Sequence, residues 1–260
     1  QGRLITGLVL LASGAPIRLG LGGTKELNWL FTNYKSKNRS KHVIEQYLDV
    51  AKLLPGALNT ETIPVETKNM NLMDLIVTAD EQQRAKFEVE TAFAEKDRPL
   101  IGLVLGSSWT KSWPYEKWQQ LIDSLSYRSN FICLGGPKEA QEFEELMQHV
   151  EKENLPVYNK LGKTTLREMA ALLGECEVVV ACDTGALHMA VQRPVIALFG
   201  PTKPAEWGPL TGTYIVLQNH DMECLGCRKR KCPKGKAYCM SGIDPVMVKE
   251  HIIELLGVKN

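Results

Sequence analysis

A strand exit followed by a helix start, over residues 177–185, carries groups that can hold an anion. The apolar run EVVVAC leads into Asp183, Thr184 and Gly185. Backbone N–H groups at a helix start lack partners within the helix, and the helix dipole is positive there. Asp183 can cap the helix, while Thr184 and Gly185 can donate to a phosphate, with His188 about one turn later. The pattern indicates a phosphate site, although a capping aspartate and a structural histidine also explain it.

Two other turns have the same small and hydroxyl-bearing character. Gly106-Ser107-Ser108 follows the apolar run 100–105, and Gly200-Pro201-Thr202 follows the apolar run 195–199. Parallel strands end at one edge of their sheet, so we expect the three turns to converge on one crevice. Lys111 lies a few residues beyond the serines. It can supply a mobile cation for a diphosphate or its leaving group, or it is an ordinary loop lysine.

Four cysteines form a late cluster with the spacing Cys224-x2-Cys227-x4-Cys232-x6-Cys239. Four thiolates at such spacing can bind a structural zinc ion, and they can equally pair as disulfides or remain free on a surface hairpin. Basic residues lie between them and can form a docking patch for an anionic partner: Arg228, Lys229, Arg230, Lys231, Lys234 and Lys236.

The elements that must position these groups alternate between strand and helix from Pro99 onward. This alternation predicts an α/β fold with a parallel sheet covered by helices on both faces. Strands are predicted at Leu100–Leu105, Phe131–Leu134, Val157–Tyr158, Glu177–Cys182, Val195–Phe199 and Tyr214–Leu217. Helices are predicted at Tyr115–Ser126, Glu139–Lys152, Thr165–Leu173, Ala186–Val191 and Asp244–Leu256.

The first 95 residues are poorer in strands and predict an incomplete α/β domain. Helical periodicity covers Leu4–Ala12, Val43–Leu54 and Asp80–Phe93, with weak strands at Ile17–Gly20 and Leu75–Val77. A charged stretch before Pro99 indicates a domain boundary. We therefore expect an N-terminal domain remainder over 1–96, a second domain over 97–243 with a cysteine-rich insert at 223–240, and a closing helix within 244–260.

Composition narrows the classes of protein to which the chain can belong. Of 260 residues 44% are hydrophobic, and 31 basic against 30 acidic residues give a net charge of +1. A large core is expected, without the global basic field of a nucleic-acid binder. No apolar run is long enough to span a bilayer. The chain begins at Gln1 without a signal-peptide pattern, which indicates a fragment rather than a secreted precursor. The cysteine usage favours a reducing, cytoplasmic compartment. Walker A and G-x-G-x-x-G patterns are lacking, which disfavours a P-loop NTPase and a standard dinucleotide dehydrogenase.

Together the motifs resemble those of glycosyltransferase family 9, the bacterial ADP-heptose:lipopolysaccharide heptosyltransferases. The resemblance covers most of the chain and is strongest from residue 99 onward. It is carried by the three turns, the cysteine cluster, His188, Lys111 through Pro114, Gly135 through Glu139, and Trp207 through Pro209. It implies a GT-B architecture, in which two Rossmann-like domains face each other across a cleft, with the N-terminal domain incomplete here.

The resemblance also implies a reaction and roles for its residues. The reaction would be an inverting transfer of heptose from an ADP-activated donor to the lipopolysaccharide inner core, with no metal or cofactor required for catalysis. Lys111, Asp183 and His188 would be catalytic. Glu139, or its neighbour Lys138, would contact the ribose. The full donor-binding set would be Ser107, Ser108, Lys111, Glu139, Asp183, Thr184, Gly185, His188, Gly200 and Thr202.

The acceptor implied by the resemblance is an anionic glycolipid at the inner face of the inner membrane, met by the basic segment between Cys227 and Cys239. The general base, an aspartate in the first strand-loop of the N-terminal domain of family members, is expected in a segment absent from this chain. Two alternatives stay open. The donor can be a UDP- or GDP-sugar, or the chain can be a non-catalytic nucleotide- or zinc-binding module. A nucleic-acid partner is not expected, because aromatic residues, which would stack bases, form only 7% of the chain.

Overall fold

The computed structural model describes residues 4–22, 30–37, 42–58, 77–106 and 110–257. The chain divides into two compact units. The first comprises Gln1–Met70 with Ala205–Trp207, and the second comprises Asn71–Pro204 with Gly208–Asn260. Among the described helices, none combines the length and apolarity needed to cross a bilayer.

The described residues of the first unit that precede Met70 form a two-stranded parallel sheet and three helices. Its elements are α1 (Leu4–Ala12), β1 (Leu19–Leu21), β2 (Tyr34–Ser36), α2 (Val43–Ala51) and α3 (Leu54–Leu58). The predicted helix at 4–12 is confirmed. The helix predicted to run to Leu54 ends at Ala51, and α3 begins just before Pro55, which cannot donate the backbone hydrogen bond that a continuing helix requires. The short, polar strand β2 has no apolar alternation by which the sequence could reveal it.

The second unit is built on a six-stranded parallel sheet, as the sequence predicts for this part of the chain. Its strands are β3 (Leu100–Val104), β4 (Asn130–Leu134), β5 (Val157–Asn159), β6 (Val178–Cys182), β7 (Val195–Leu198) and β8 (Tyr214–Leu217). Their spatial order is β5-β4-β3-β6-β7-β8. The chain therefore winds outward from β3 in one direction and then restarts beside β3 at β6. The crevice at such a reversal is where open α/β sheets bind ligands.

Helices cover both faces of this sheet. They are α4 (Ala79–Ala92), α5 (Tyr115–Leu125), α6 (Pro137–Glu142), α7 (Glu144–Lys152), α8 (Leu166–Gly174), α9 (Gly185–Met189), α11 (Tyr238–Ser241) and α12 (Pro245–Leu255); the short α10 (Pro204–Trp207) spans the division between the units. Residues of α5, α7 and α12 share one buried cluster with Leu103. Residues of α4, α8 and α9 share the other with Val104. The four central strands are buried on both faces, which is why each reads as a continuous apolar run.

The prediction of one helix over 139–152 is wrong, because the structure has two helices, α6 and α7, separated at Phe143. The backbone there has φ −109° and ψ 23°, outside the helical region. The break carries the Phe143 side chain into the core, where it is 2% exposed. Burial of a phenylalanine contributes about 1.5–3 kcal/mol and favours the interruption.

The helix α4 belongs to the second unit, whereas the sequence assigned residues 1–96 to an N-terminal domain. It packs along α8, with Ala85 buried in the cluster on that face. Arg167 of α8 donates two hydrogen bonds to Glu81 of α4, at 2.8 and 2.7 Å. The division between the units therefore falls before α4, near Met70, because these contacts hold α4 against the six-stranded sheet.

Candidate functional site

A buried carboxylate at the centre of the candidate site holds two side chains from other loops. The Thr202 hydroxyl donates a hydrogen bond to Asp183 Oδ2 at 2.6 Å, and Lys111 Nζ lies 2.8 Å from the same oxygen. Asp183 and Thr202 are 6% and 8% exposed, whereas 29% of the Lys111 side chain is accessible. Within this group, the ammonium of Lys111 is the part most open to a ligand arriving from solvent.

Three neighbouring strands deliver these residues. Lys111 follows β3, Asp183 directly follows β6, and Thr202 follows β7. These strands are adjacent and parallel, so their carboxyl ends lie at one edge of the sheet. The structure thus brings together three of the residues that the sequence singled out, beside the point where the strand order reverses.

The start of α9 is capped by Thr184, and the prediction that Asp183 is the cap is wrong. Thr184 Oγ1 accepts a hydrogen bond from the backbone N–H of Leu187 at 3.3 Å. Asp183 does not take this place because its carboxylate faces Lys111 and Thr202 instead. No described atom lies within 4 Å of the position that a Cβ on Gly185 would occupy. The first turn of α9 is therefore open to approach at Gly185, and half-buried His188 lies within the same helix.

The side chain of Glu139 lies between the ends of β3 and β4. Its Oε2 accepts a hydrogen bond from the backbone N–H of Gly136 at 3.0 Å. A Cβ on Gly106 would lie 2.3 Å from Glu139 Cγ, and Gly106 has φ +78°. Glycine at 106 is thus required both by the backbone conformation and by the space that Glu139 occupies. The alternative ribose contact, Lys138, has a side chain 69% exposed and pairs with Glu142 at 3.7 Å.

In the loop after β3 the structure does not describe residues 107–109, so the predicted diphosphate contacts Ser107 and Ser108 lie outside the described residues. Trp113 anchors this loop. Its side chain is fully buried, its indole N–H donates to the Ile243 carbonyl at 3.2 Å, and its ring meets that of Trp118 edge-on at 4.8 Å. Sequence reasoning gave Trp113 no role of its own; the available signal was a tryptophan within an otherwise polar loop.

A cavity of about 490 Å³ opens beside this loop, at the start of α5 and the junction of α6 with α7. Its lining includes Trp113 together with the charged residues Glu116, Lys117, Glu142 and Lys236. The volume lies in the range of small-molecule sites. One basic residue of the cysteine-rich segment therefore reaches a cavity next to the loop that bears Lys111.

The cysteine-rich segment docks on the turn that carries Thr202. The backbone N–H groups of Gly226 and Arg228 donate to the carbonyls of Gly200 and Pro201, at 3.1 and 2.7 Å. A Cβ on Gly200 would lie 2.7 Å from Met240 Sδ. Close packing against α11 therefore explains the glycine at 200, which the resemblance had assigned to donor binding.

The four clustered cysteines are free thiols, so the disulfides that the sequence left open as one alternative are not formed. All four line one small cavity of about 60 Å³, together with Thr110 and Pro201. Burial, followed by the neighbouring thiols, raises the pKa of Cys239. Within the described ranges, which include all four cysteines, no three His, Cys, Asp or Glu side chains are arranged to hold a metal ion. The arrangement thus does not support the structural zinc site that the spacing left open as an alternative.

The basic residues of this segment all lie at the surface. Each of them is exposed: Arg228, Lys229, Arg230, Lys231, Lys234 and Lys236. The segment contains no helix or strand between β8 and α11. It forms a positively charged surface next to the Gly200–Thr202 turn, as a docking site for an anion requires.

The sequence profile of glycosyltransferase family 9 (heptosyltransferase) matches residues 1–238. Two similar curated sequences are both named lipooligosaccharide heptosyltransferase 2. The one from Haemophilus ducreyi is 28% identical over 241 residues, which are 89% of this chain and 67% of that protein. The one from Haemophilus influenzae is 30% identical over 218 residues, 80% of this chain and 62% of that protein. The chain therefore spans about two thirds of the length of these relatives.

A solved structure of Escherichia coli ADP-heptose lipopolysaccharide heptosyltransferase II resembles this one with a TM-score of 0.72 at 22% identity. The match covers 98% of this chain and 74% of that structure. The likeness shows a shared α/β fold with parallel sheets. Because the family profile extends over residues 1–238 of 260, the chain belongs to glycosyltransferase family 9, the heptosyltransferase family.

Proposed function

We propose that the chain is part of an inverting heptosyltransferase that transfers heptose from an ADP-activated donor to the inner core of lipopolysaccharide or lipooligosaccharide. Family membership and the names of the two Haemophilus relatives support this reaction. The observation that carries it is the meeting of Lys111, Asp183 and Thr202 at the carboxyl ends of three adjacent strands. In this proposal the second unit binds the nucleotide sugar, as the C-terminal half of a GT-B enzyme.

Transfer of the heptose requires stabilisation of the leaving ADP. In an inverting displacement the acceptor hydroxyl oxygen forms a bond to the anomeric carbon while the bond from that carbon to the diphosphate oxygen breaks. The acceptor proton passes to a general base, and the electron pair leaves with ADP. Negative charge therefore grows on the diphosphate, and a fixed cation accelerates the step only if it binds the transition state better than the ground state.

The second unit supplies groups suited to this charge. Lys111 offers an ammonium with three N–H donors, of which the Asp183 carboxylate engages part, at 2.8 Å. The first turn of α9, which is exposed at Gly185, adds backbone N–H groups on the same edge of the sheet. In this proposal Glu139 accepts hydrogen bonds from the ribose hydroxyls, His188 supports the departing phosphate, and no metal ion is needed.

We assign binding of the acceptor to the cysteine-rich segment. Six exposed basic side chains there suit the phosphate groups of an anionic glycolipid. We place the reaction at the cytoplasmic face of the inner membrane, where such an acceptor presents its sugars.

The proposal is tested by calorimetric titration of the 260-residue chain with ADP, UDP, GDP and AMP. We expect selective binding of ADP. Lys111→Met should weaken that binding about tenfold to a hundredfold, because a charge-assisted hydrogen bond to phosphate contributes about 1.5–3 kcal/mol. Lys249→Met is the matched control, since Lys249 donates to the Ser124 carbonyl on α5, away from this edge of the sheet, and it should leave ADP affinity unchanged.

Each outcome bears on a different part of the proposal. Preference for UDP or GDP keeps the transferase and changes the donor. Equal ADP affinity in Lys111→Met and in the unchanged chain removes Lys111 from the site. A folded chain that binds none of the nucleotides contradicts the assignment of the second unit as the donor-binding part.

A further inference from the structure

The Asp183 carboxylate is directed toward protein groups. Its Oδ2 accepts from the Thr202 hydroxyl at 2.6 Å and lies 2.8 Å from Lys111 Nζ. An ionised carboxylate has only acceptor oxygens, so it cannot donate to a phosphate, and its negative charge repels one. The chemistry of Asp183 therefore fits a residue that holds Lys111 better than it fits a ligand of the donor.

Thr202 is placed to fix this carboxylate. Its side chain is buried, and a buried hydroxyl without a partner is destabilising, so the bond to Asp183 restricts both side chains to one arrangement. The hydroxyl donates to the carboxylate rather than pointing to solvent. This contradicts a simple reading of the Gly200-Pro201-Thr202 turn as a phosphate-binding turn.

The turn that bears Thr202 is itself held from behind. The cysteine-rich segment donates two backbone hydrogen bonds to it, from Gly226 and Arg228. Gly200 packs against the sulfur atoms of α11 at distances that exclude a side chain. The backbone at Thr202 is therefore held in place, and the hydrogen bond from its hydroxyl fixes the position of the Asp183 carboxylate.

A lysine needs such support if it is to act as a well-placed cation. Its side chain is long and has many rotamers, so ordering it on ligand binding costs conformational entropy. Holding the ammonium against Asp183 before the ligand arrives removes part of that cost. When no nucleotide sugar is bound, the Asp183 carboxylate also pairs with the positive charge of Lys111.

We propose that Thr202 is a positioning residue for Lys111, acting through the Asp183 carboxylate, and that neither Thr202 nor this carboxylate touches the diphosphate. The inference rests on the proposed function, because the ligand of Lys111 is the diphosphate of the nucleotide sugar. It changes the roles of two residues that the family resemblance placed among the donor contacts, and it leaves Lys111 as the group that meets the phosphates.

The test is a double-mutant cycle measured as ADP affinity. Thr202→Val keeps the volume and removes the hydroxyl, and we expect it to weaken ADP binding about tenfold. Thr202→Ser keeps the hydroxyl and should restore affinity to within about twofold. In a Lys111→Met background, Thr202→Val should cause almost no further loss, because a residue that acts through Lys111 has nothing left to position.

A matched control variant and the urea unfolding midpoint of each variant distinguish a loss of lysine positioning from a loss of folding. Thr213→Val changes an exposed threonine of the same unit and should not alter ADP affinity. A loss from Thr202→Val that is equally large in the Lys111→Met background would show a direct contact and overturn the inference. So would a serine variant as weak as the valine one. If Lys111→Met weakens ADP binding and Thr202→Val does not, the inference fails while the proposed function stands; if the folded chain binds no nucleoside diphosphate, both fail.

Discussion

Glu88→Gln is expected to destabilise the second unit by about 1–2 kcal/mol. Glu88, on α4, accepts hydrogen bonds from the Tyr158 hydroxyl at 2.6 Å and from Lys160 Nζ. Hydrogen bonds to charged groups contribute about 1.5–3 kcal/mol each when buried. The Glu88 side chain is 34% exposed, so solvent screening reduces that value, and glutamine keeps an acceptor oxygen. What is lost is the charge that joins α4 to the strand β5 and its following loop.

The pH dependence gives this prediction a second signature. Burial raises the pKa of Glu88, but the hydrogen bonds from Lys160 and Tyr158 outweigh it, so the pKa lies below its usual 4.5. The stabilisation is therefore present above pH 4.5 and is lost as the pH falls through the lowered pKa. Burial and Glu88 raise the pKa of Tyr158 from 10 to about 12, so stability also falls as the pH rises from 10 toward 12. Glu88→Gln should therefore reduce the loss of stability that the unchanged chain shows at acidic pH.

The assay is urea unfolding at neutral pH and along an acid series, followed by circular dichroism. Glu90→Gln, an exposed position on the same helix, is the control and should change the free energy of unfolding by less than about 0.5 kcal/mol. Equal effects of the two substitutions would refute the reasoning, because Glu88 would then not contribute to holding α4 on the six-stranded sheet.

Two further predictions concern the ends of the strands and the thiols. Gly106→Ala should lower the free energy of unfolding by about 2–3 kcal/mol, because it forces an alanine to φ +78° and displaces Glu139 from its bond to Gly136. Gly257→Ala is the control, at φ +66° with no described atom within 4 Å, and should lower it less in the same urea assay. Equal losses in the two variants would contradict a clash with Glu139. A thiol reagent at neutral pH should modify Cys224, Cys227 and Cys232 in the folded chain. It should modify the three fully buried thiols, Cys133, Cys176 and Cys182, only after urea unfolds the chain. Burial raises the pKa of Cys133 and of Cys182 to about 12 and raises the pKa of Cys176 as well, so these thiols stay protonated and unreactive. Peptide mapping that finds these three modified in the folded state would contradict their burial.

Strand positions in the second unit could be predicted from the sequence because both faces of the sheet are covered. Strands buried on both sides must be apolar throughout, so β3, β6 and β7 stand out as short β-branched runs. The turns that follow parallel strands must then share one edge. Fold class, family resemblance and the neighbourhood of Lys111 and Asp183 all follow from patterns within short stretches of chain.

Only the tertiary structure decided what the polar side chains at that edge do. The partners of Asp183 come from positions 72 and 19 residues away in the chain, and spacing in the sequence does not indicate which way a carboxylate points. The same holds for α4, whose attachment to α8 depends on contacts across 86 residues of sequence, between Glu81 and Arg167. Local patterns arise from periodicity and backbone preference, whereas the direction of a side chain and the choice of its partner depend on packing that forms only when distant segments meet.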